Sequence, residues 1–562
     1  MSGVRGGGSV RGGKPGPEPG GHRAVPEGPV PAPPGLPAPA PVPTPPPPRT
    51  TPAEGLAGVG RSVRIGRGQR RPVGESVARV GLALSLAFGA LAAGAGYWQV
   101  IEAAPLSAAP DNPAVVAVAR SAVRGQIEDR SGVWLASSRR DASGDPYRVY
   151  RDDVVSPVIG YASRQFGTAG LERSFDAELV GLTRPDPVSD LLKKFEADKT
   201  DPQALQLTLS LALQRAAVKA LGGDQGAVVI IQPRTGDVLA LASTPVFDAS
   251  GIANPATAEA AFERLRDDAS QPLLPRATQG RYVPGSVFKI VTGLAALDSG
   301  AVTPDTTYEQ QPSAELEGLL VQGFRVRDGH HLETGDEALD LIGATEVSCN
   351  LWYALAGLDA GGQAMNDTAD RMGFDGQVPF ALPVADSQLT NGGGPFPGGF
   401  ADDVELASAS YGQGETLVTP LQMALVAATV ANDGVLMEPR LVATMTGRDG
   451  TTTIPSREWR RIVSGDTAGA LKAAMREAVE GELGRRFTSG ADIPGVEVAG
   501  KSGTAELGGE GEPHSWFIGL APVDDPQVVI AVLVEQGGRG AERAAPIGGQ
   551  LMEAALAELA GG

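Results

Sequence analysis

Apolar positions are spread unevenly along the chain, and their spacing divides it before any chemistry is considered. Val80 to Ile101 runs for 22 residues without a charge, enough at 1.5 Å per residue to cross a bilayer core of about 30 Å. This stretch is expected to form one membrane-spanning helix. From Glu102 to about Asp201 the pattern is mixed, with turn signals at Asp129-Arg-Ser-Gly132 and Gly167-Thr-Ala-Gly170. A small, irregular pedestal domain is expected over residues 102–201.

Leu205 to Leu221 starts as an alternating, strand-like stretch and turns helical, leading into a larger domain over residues 202–562. Ala227–Ile231 and Val238–Ala242 are apolar runs separated by Gln-Pro-Arg-Thr-Gly, which predicts an antiparallel hairpin. Val496–Ala499, Trp516–Leu520 and Val528–Val534 are further strand candidates, followed by a terminal helix over Gly549–Leu559. Between them, Ala256 to about Leu483 reads mostly as helices and loops. The expected fold class is α/β, an antiparallel sheet with strands from both ends of the domain and a helical insertion.

Composition adds a tail and a sidedness. Seventeen of the 46 prolines fall between Pro15 and Pro52, in a Gly/Pro/Ala-rich run that can build neither helix nor sheet ladder, so residues 1–79 are expected to be disordered. Met1 to Arg79 holds eleven Lys/Arg against four Asp/Glu, a net of +7, which leaves −26 for the rest of a chain whose net charge is −19. Arg61, Arg64, Arg67, Arg70, Arg71 and Arg79 crowd the N-terminal side of the span, which keeps that side cytoplasmic and puts residues after 102 outside. A cleaved signal peptide fits less well, because the leader is long and its apolar stretch exceeds the usual ~7–15 residues. So acidic a body would repel a phosphate backbone, which argues against nucleic acid as a partner. Cys349 is the only cysteine, so no internal disulfide and no cysteine-cluster metal site can form. His22, His330, His331 and His514 are too scattered to suggest a metal site.

Candidate chemistry lies in three short motifs. Tyr282-Val-Pro-Gly-Ser-Val-Phe-Lys289 precedes an apolar run, Val287 to Leu297, with Ser-Gly at 299–300 after it, a helix with start and stop signals. Ser286 and Lys289 then share one face near its first turn, where backbone N–H groups favour developing negative charge. A serine there can be a nucleophile if the lysine is neutral enough to take its proton. By itself S-x-x-K carries little, since a chain of this length should show about one or two by chance. Ser348-Cys-Asn350, 62 residues beyond Ser286, and Lys501-Ser-Gly-Thr504, closing an expected strand, complete an ordered set.

S-x-x-K, S-x-N and K-[ST]-G in that order are the signature of penicillin-binding proteins and class A β-lactamases. The chain resembles a class B penicillin-binding protein over roughly residues 120 to 562. In the pedestal, Arg124-Gly-Gln-Ile-Glu-Asp-Arg-Ser-Gly132 with Leu135-Ala136, and Gly170-Leu-Glu172 with Leu179 and Gly181, are similar to two family elements. Gly412-Gln-Gly414, Thr419-Pro-Leu-Gln-Met-Ala424, Ala431-Asn-Asp-Gly434 and Trp516-Phe-Ile-Gly519 resemble further landmarks. Val287 and Cys349 depart from the family's common Thr and Ser, and neither carries the reaction.

The resemblance implies a transpeptidase fold of the penicillin-binding-protein and β-lactamase type, and a serine acyl-enzyme that cross-links peptidoglycan stem peptides and is blocked by β-lactam antibiotics. Ser286 would attack the penultimate D-Ala carbonyl, with neutral Lys289 as base and Lys501 lowering the pKa of Lys289. Ser348 would relay the proton to the departing nitrogen, and Asn350 would bond the substrate amide and Lys289. Ser502 and Thr504 would take the substrate carboxylate, Gly503 would permit close approach, and the N–H groups of Ser286 and Thr504 would form the oxyanion hole. No cofactor or metal is implied. A membrane-embedded glycan polymerase and division or elongation proteins are the expected partners. A β-lactamase has little use for a span and pedestal, and a bifunctional enzyme would need a further glycosyltransferase domain. The standing alternative is a β-lactam sensor or division scaffold without significant turnover. Cys349, lying between two residues that must reach the cleft, is expected to point inward as a buried hydrophobe.

Overall fold

The computed structural model describes residues 73–97, 122–181, 201–328, 337–374, 376–487, 490–509 and 511–561. His22, His330, His331 and five of the flanking arginines, Arg61 to Arg71, lie outside them. The N-terminal helix runs Val73–Gly96, 24 residues, so it starts seven residues before the expected span, and residues 98–101 lie outside the described residues. The side chains of Leu82, Leu86, Phe88 and Leu91 on it are exposed. Among the described residues it is the one helix long and apolar enough to cross a membrane.

The larger unit contains two main sheets. One has five antiparallel strands in the order Ala499–Ala505, His514–Ala521, Val528–Val534, Gly226–Gln232, Asp237–Thr244. The expected hairpin is present, pairing Val229 with Leu241 and turning at Gly236. Period-2 alternation sends Ala227, Val229 and Ile231 to one face and Val228 and Ile230 to the other, and both faces are covered. The helices Leu211–Leu221 and Ala544–Gly561 pack on the Val228 side. Pro420–Ala431 and Lys289–Asp298 pack on the Val229 side. Each such side chain taken fully out of water contributes about 1.5–3 kcal/mol, which is why the apolar runs mark the sheet. The fold class is therefore α/β as expected, with the helical insertion entering between sheet strands.

One strand departs from the expectation. The apolar run Val496–Ala499 forms only an isolated bridge at Val496, and the strand proper is Ala499–Ala505, so the Lys501 motif lies within the strand rather than closing it. Seven cross-strand pairs to His514–Ala521 supply what the two glycines and the lysine of this strand lack in β-propensity. It is the edge strand of the sheet.

The second sheet has six strands in the order Gly450–Thr453, Val442–Gly447, Ala204–Leu207, Ile127–Glu128, Trp134–Arg140, Pro146–Tyr150. Its first two strands come from within the stretch read as helices and loops. The Gly-Arg-Asp-Gly turn and threonine run of that hairpin are exposed, so no apolar alternation announced it. Beneath this sheet the two family-like pedestal elements meet. Arg124 Nε donates to Glu172 Oε2 at 2.7 Å, Arg148 Nε donates to Oε1 at 2.5 Å, and Glu172 is fully buried. Asp129 Oδ1 accepts from Ser131 N and Val133 N, both at 2.9 Å, and so shapes the expected turn.

Candidate active site

Ser286 is held by its neighbours on both sides. Tyr282 N donates to Val418 O and Val418 N to Tyr282 O, each at 2.9 Å, and Trp516 Nε1 donates to Val283 O at 3.0 Å. Gly285 has φ +57°, and a Cβ there would lie 2.8 Å from Thr504 O, so only glycine lets the chain turn this close to the edge strand. The turn Gly285–Phe288 is a 3-10 helix that passes directly into the helix Lys289–Asp298. Ser286 is half-buried, and among the described residues its Oγ has no hydrogen-bond partner.

Ser348 has φ +62°, a left-handed conformation that costs a non-glycine residue about 1–3 kcal/mol. Lys289 Nζ donates to Ser348 O at 2.5 Å and to its Oγ at 3.1 Å. Lys501 Nζ donates to the same Oγ at 2.9 Å and to Ser502 O at 3.0 Å. Three motifs far apart in the chain thus meet on one hydroxyl. Both lysines are almost completely buried.

Burial disfavours both ammonium charges. It brings Lys289 down to about 8, against an opposing pull from Asp328. Lys501 is pushed well below the ordinary lysine range, first by burial and then by Lys289. Burial thus acts first on both lysines, and the repulsion between the two amines adds to it.

Asn350 opens the helix Asn350–Arg371, and its Nδ2 donates to Arg327 O at 3.4 Å rather than bonding Lys289. Its backbone N–H and that of Leu351 donate to Asp328 Oδ2. Asp328 was not singled out in the sequence, since nothing local marks a carboxylate at the end of a hairpin 22 residues upstream as the cap of this helix. Cys349 is fully buried and caps the helix, its Sγ accepting from Trp352 N at 3.4 Å, while Ser348 and Asn350 are half-buried.

On the edge strand, alternation puts Ser502 and Thr504 on one face and Lys501 and Gly503 on the other. Thr504 Oγ1 accepts from Gly540 N at 3.2 Å, and Ser502 is buried. A Cβ on Gly503 would meet Pro284 O and Val287 Cγ1 at 3.0 Å. The close approach that this glycine permits is thus to the turn carrying Ser286.

Comparison with known proteins agrees with this arrangement. Residues 226–553 match the penicillin binding protein transpeptidase domain, and residues 124–203 match the penicillin binding protein A dimerisation domain. The chain is 35% identical over 506 residues to the peptidoglycan D,D-transpeptidase PbpA of Mycolicibacterium smegmatis, covering 86% of this chain and 99% of that one. It is 27% identical over 413 residues to the peptidoglycan D,D-transpeptidase MrdA of Escherichia coli, covering 67% and 63%. The ceftriaxone acyl-enzyme complex of penicillin-binding protein A from M. tuberculosis is similar with a TM-score of 0.69 at 33% identity, covering 78% of this chain and 100% of that one. Its penicillin G acyl-enzyme complex gives 0.66 at 33% identity, with the same coverage. A chain with these matches over both regions belongs to the penicillin-binding protein transpeptidases, and within them to the class B kind.

Proposed function

We propose that this protein is a peptidoglycan D,D-transpeptidase that cross-links stem peptides through an acyl-enzyme on Ser286 and is inhibited covalently by penicillin. The observation that carries the reading is the convergence of two buried lysines on Ser348 Oγ, with the half-buried Ser286 three residues before Lys289 in the chain. Lys289, at about 8, is neutral often enough near neutral pH to take the Ser286 proton, and Ser348 Oγ lies within reach of both amines to pass a proton to the leaving nitrogen. Developing negative charge on the attacked carbonyl would be met by the N–H groups of Ser286 and Thr504. An extended stem peptide would add to the free edge of the Lys501 strand, with its carboxylate at Ser502 and Thr504 and its amide at Asn350. An amine from a second stem peptide would resolve the ester. The chain's own residues suffice for these steps without a cofactor.

The same reading divides the chain into a basic tail at 1–79, a span at 80–101, a pedestal at 102–201 and a catalytic domain at 202–562. Arginines on the N-terminal side of the span support an extracytoplasmic catalytic domain. There it would work beside a membrane-embedded glycan polymerase and division or elongation proteins. Fluorescent penicillin should label the wild-type chain stoichiometrically and Ser286→Ala not at all, with both folded. Persistent labelling of Ser286→Ala would mean a different nucleophile. Protease added to intact spheroplasts should degrade residues after 102 and spare the tail, and the reverse pattern would overturn the orientation.

A further inference from the structure

Asp328 sits where the hairpin Leu319–Val321/Phe324–Val326 ends, and its Oδ2 accepts the backbone N–H groups of Asn350 and Leu351. It therefore anchors the first turn of the helix that starts at the motif asparagine. A carboxylate at that end also complements the helix dipole. Arg327 O accepts from the Asn350 side chain at 3.4 Å, so the same two hairpin residues hold both the backbone and the amide of Asn350. Two residues earlier, Ser348 receives Lys289 on both its carbonyl and its hydroxyl. The carboxylate and the lysine thus grip one three-residue segment.

Several ionisable groups face this segment. They are Lys289 from its helix, Lys501 from the edge strand, Cys349 and Tyr353 from the helix Asn350–Arg371, and Tyr411 from the loop before Gly412. Lys289 Nζ is 5.7 Å from the centre of the Tyr353 ring, whose hydroxyl is shared with Thr345 at 2.6 Å. Cys349, Tyr353 and Tyr411 are all held towards their neutral forms, chiefly by burial. Asp328 is the carboxylate whose charge supports the ammonium form of Lys289.

We propose that Asp328 is a positioning residue for the acylation site: it fixes Asn350 at the helix start and, through the three-residue segment that it and Lys289 grip together, tunes Lys289 as the base. This rests on the reading of Ser286 and Lys289 given above. Removing the charge disfavours the protonated lysine, so the neutral base appears at lower pH. Asparagine at 328 keeps a carbonyl oxygen for the two backbone N–H groups, which separates charge from anchoring.

The test measures the second-order rate of acylation by fluorescent penicillin against pH, on the full chain in detergent, with thermal unfolding followed in parallel. In Asp328→Asn the acid limb of the profile should move down by roughly one pH unit, which is about a tenfold higher relative rate on the acid side. Asp328→Glu should bring the limb back towards the wild type. Asp328→Ala should move it as Asn does and also lower the plateau, because Asn350 loses its anchor. An acid limb unmoved in folded Asp328→Asn, with the wild type labelled at Ser286, overturns this inference alone. If Asp328→Asn does not fold, a limb in Asp328→Glu that differs from the wild type by as much as that of Asp328→Ala does the same. Failure of the wild type to be labelled, or labelling that survives Ser286→Ala, overturns the functional reading and this inference with it.

Discussion

Replacing Cys349 tests whether the loop between Ser348 and Asn350 is organised as the geometry implies. The thiol is fully buried, and burial first, then the Asp328 charge, pushes it well above the ordinary cysteine range. Cys349→Ala removes one sulfur from a packed interior, a loss of about 1 kcal/mol. It also removes the acceptor of the Trp352 N–H, which for a hydroxyl cap is typically about 1 kcal/mol and for the weaker sulfur at 3.4 Å should be less. The sum is about 1–2 kcal/mol, or a fall of a few degrees in Tm. Acylation should stay near the wild-type rate, because Lys289 and Lys501 bond Ser348 and Asp328 holds Asn350 without using the thiol's position. Thermal unfolding and a time course of fluorescent-penicillin labelling read the two effects separately. Native protein should also resist maleimide and react once unfolded, since a buried neutral thiol is a poor nucleophile. Rapid native maleimide reaction that prior acylation blocks would place Cys349 in the cleft and refute the reasoning.

Two other substitutions probe the supports of the site. Glu172 is buried between Arg124 and Arg148; burial alone would raise its carboxyl, and the Arg148 and Arg124 charges bring it below the usual range. Its contribution is present above the unfolded carboxylate value of about 4.3 and lost as pH falls through the lower folded value. Glu172→Gln should cost about 3 kcal/mol at pH 7 and show a smaller further loss below pH ~4 than the wild type; equal acid sensitivity of the two would refute this. Gly503→Ala places a methyl 3.0 Å from Pro284 O and Val287 Cγ1, so the Ser286 turn must shift. It should lose about 1–3 kcal/mol and acylate at least about tenfold more slowly, and an unchanged rate would show that the turn does not lean on the strand.

Much of this protein is legible in its residues alone. An apolar N-terminal helix, the central hairpin and the strand Val528–Val534 are legible because continuous or alternating apolar runs stand out from their surroundings. Ser286, Lys289, Ser348, Asn350 and Lys501 are legible as an ordered set of short motifs, which needs no knowledge of where each one folds. Their meeting is a different matter. That Lys289 and Lys501 both reach Ser348 Oγ depends on a helix, a loop and an edge strand packing together, and no local pattern encodes that register. The buried Lys501 strand and the exposed strand Gly450–Thr453 lack a run or alternation of apolar side chains, so their place in a sheet is fixed by cross-strand pairing. Asp328 was invisible for the same reason: its partners are the backbone N–H groups of a distant helix start, and every residue carries those, so only tertiary contact selects which carboxylate receives them.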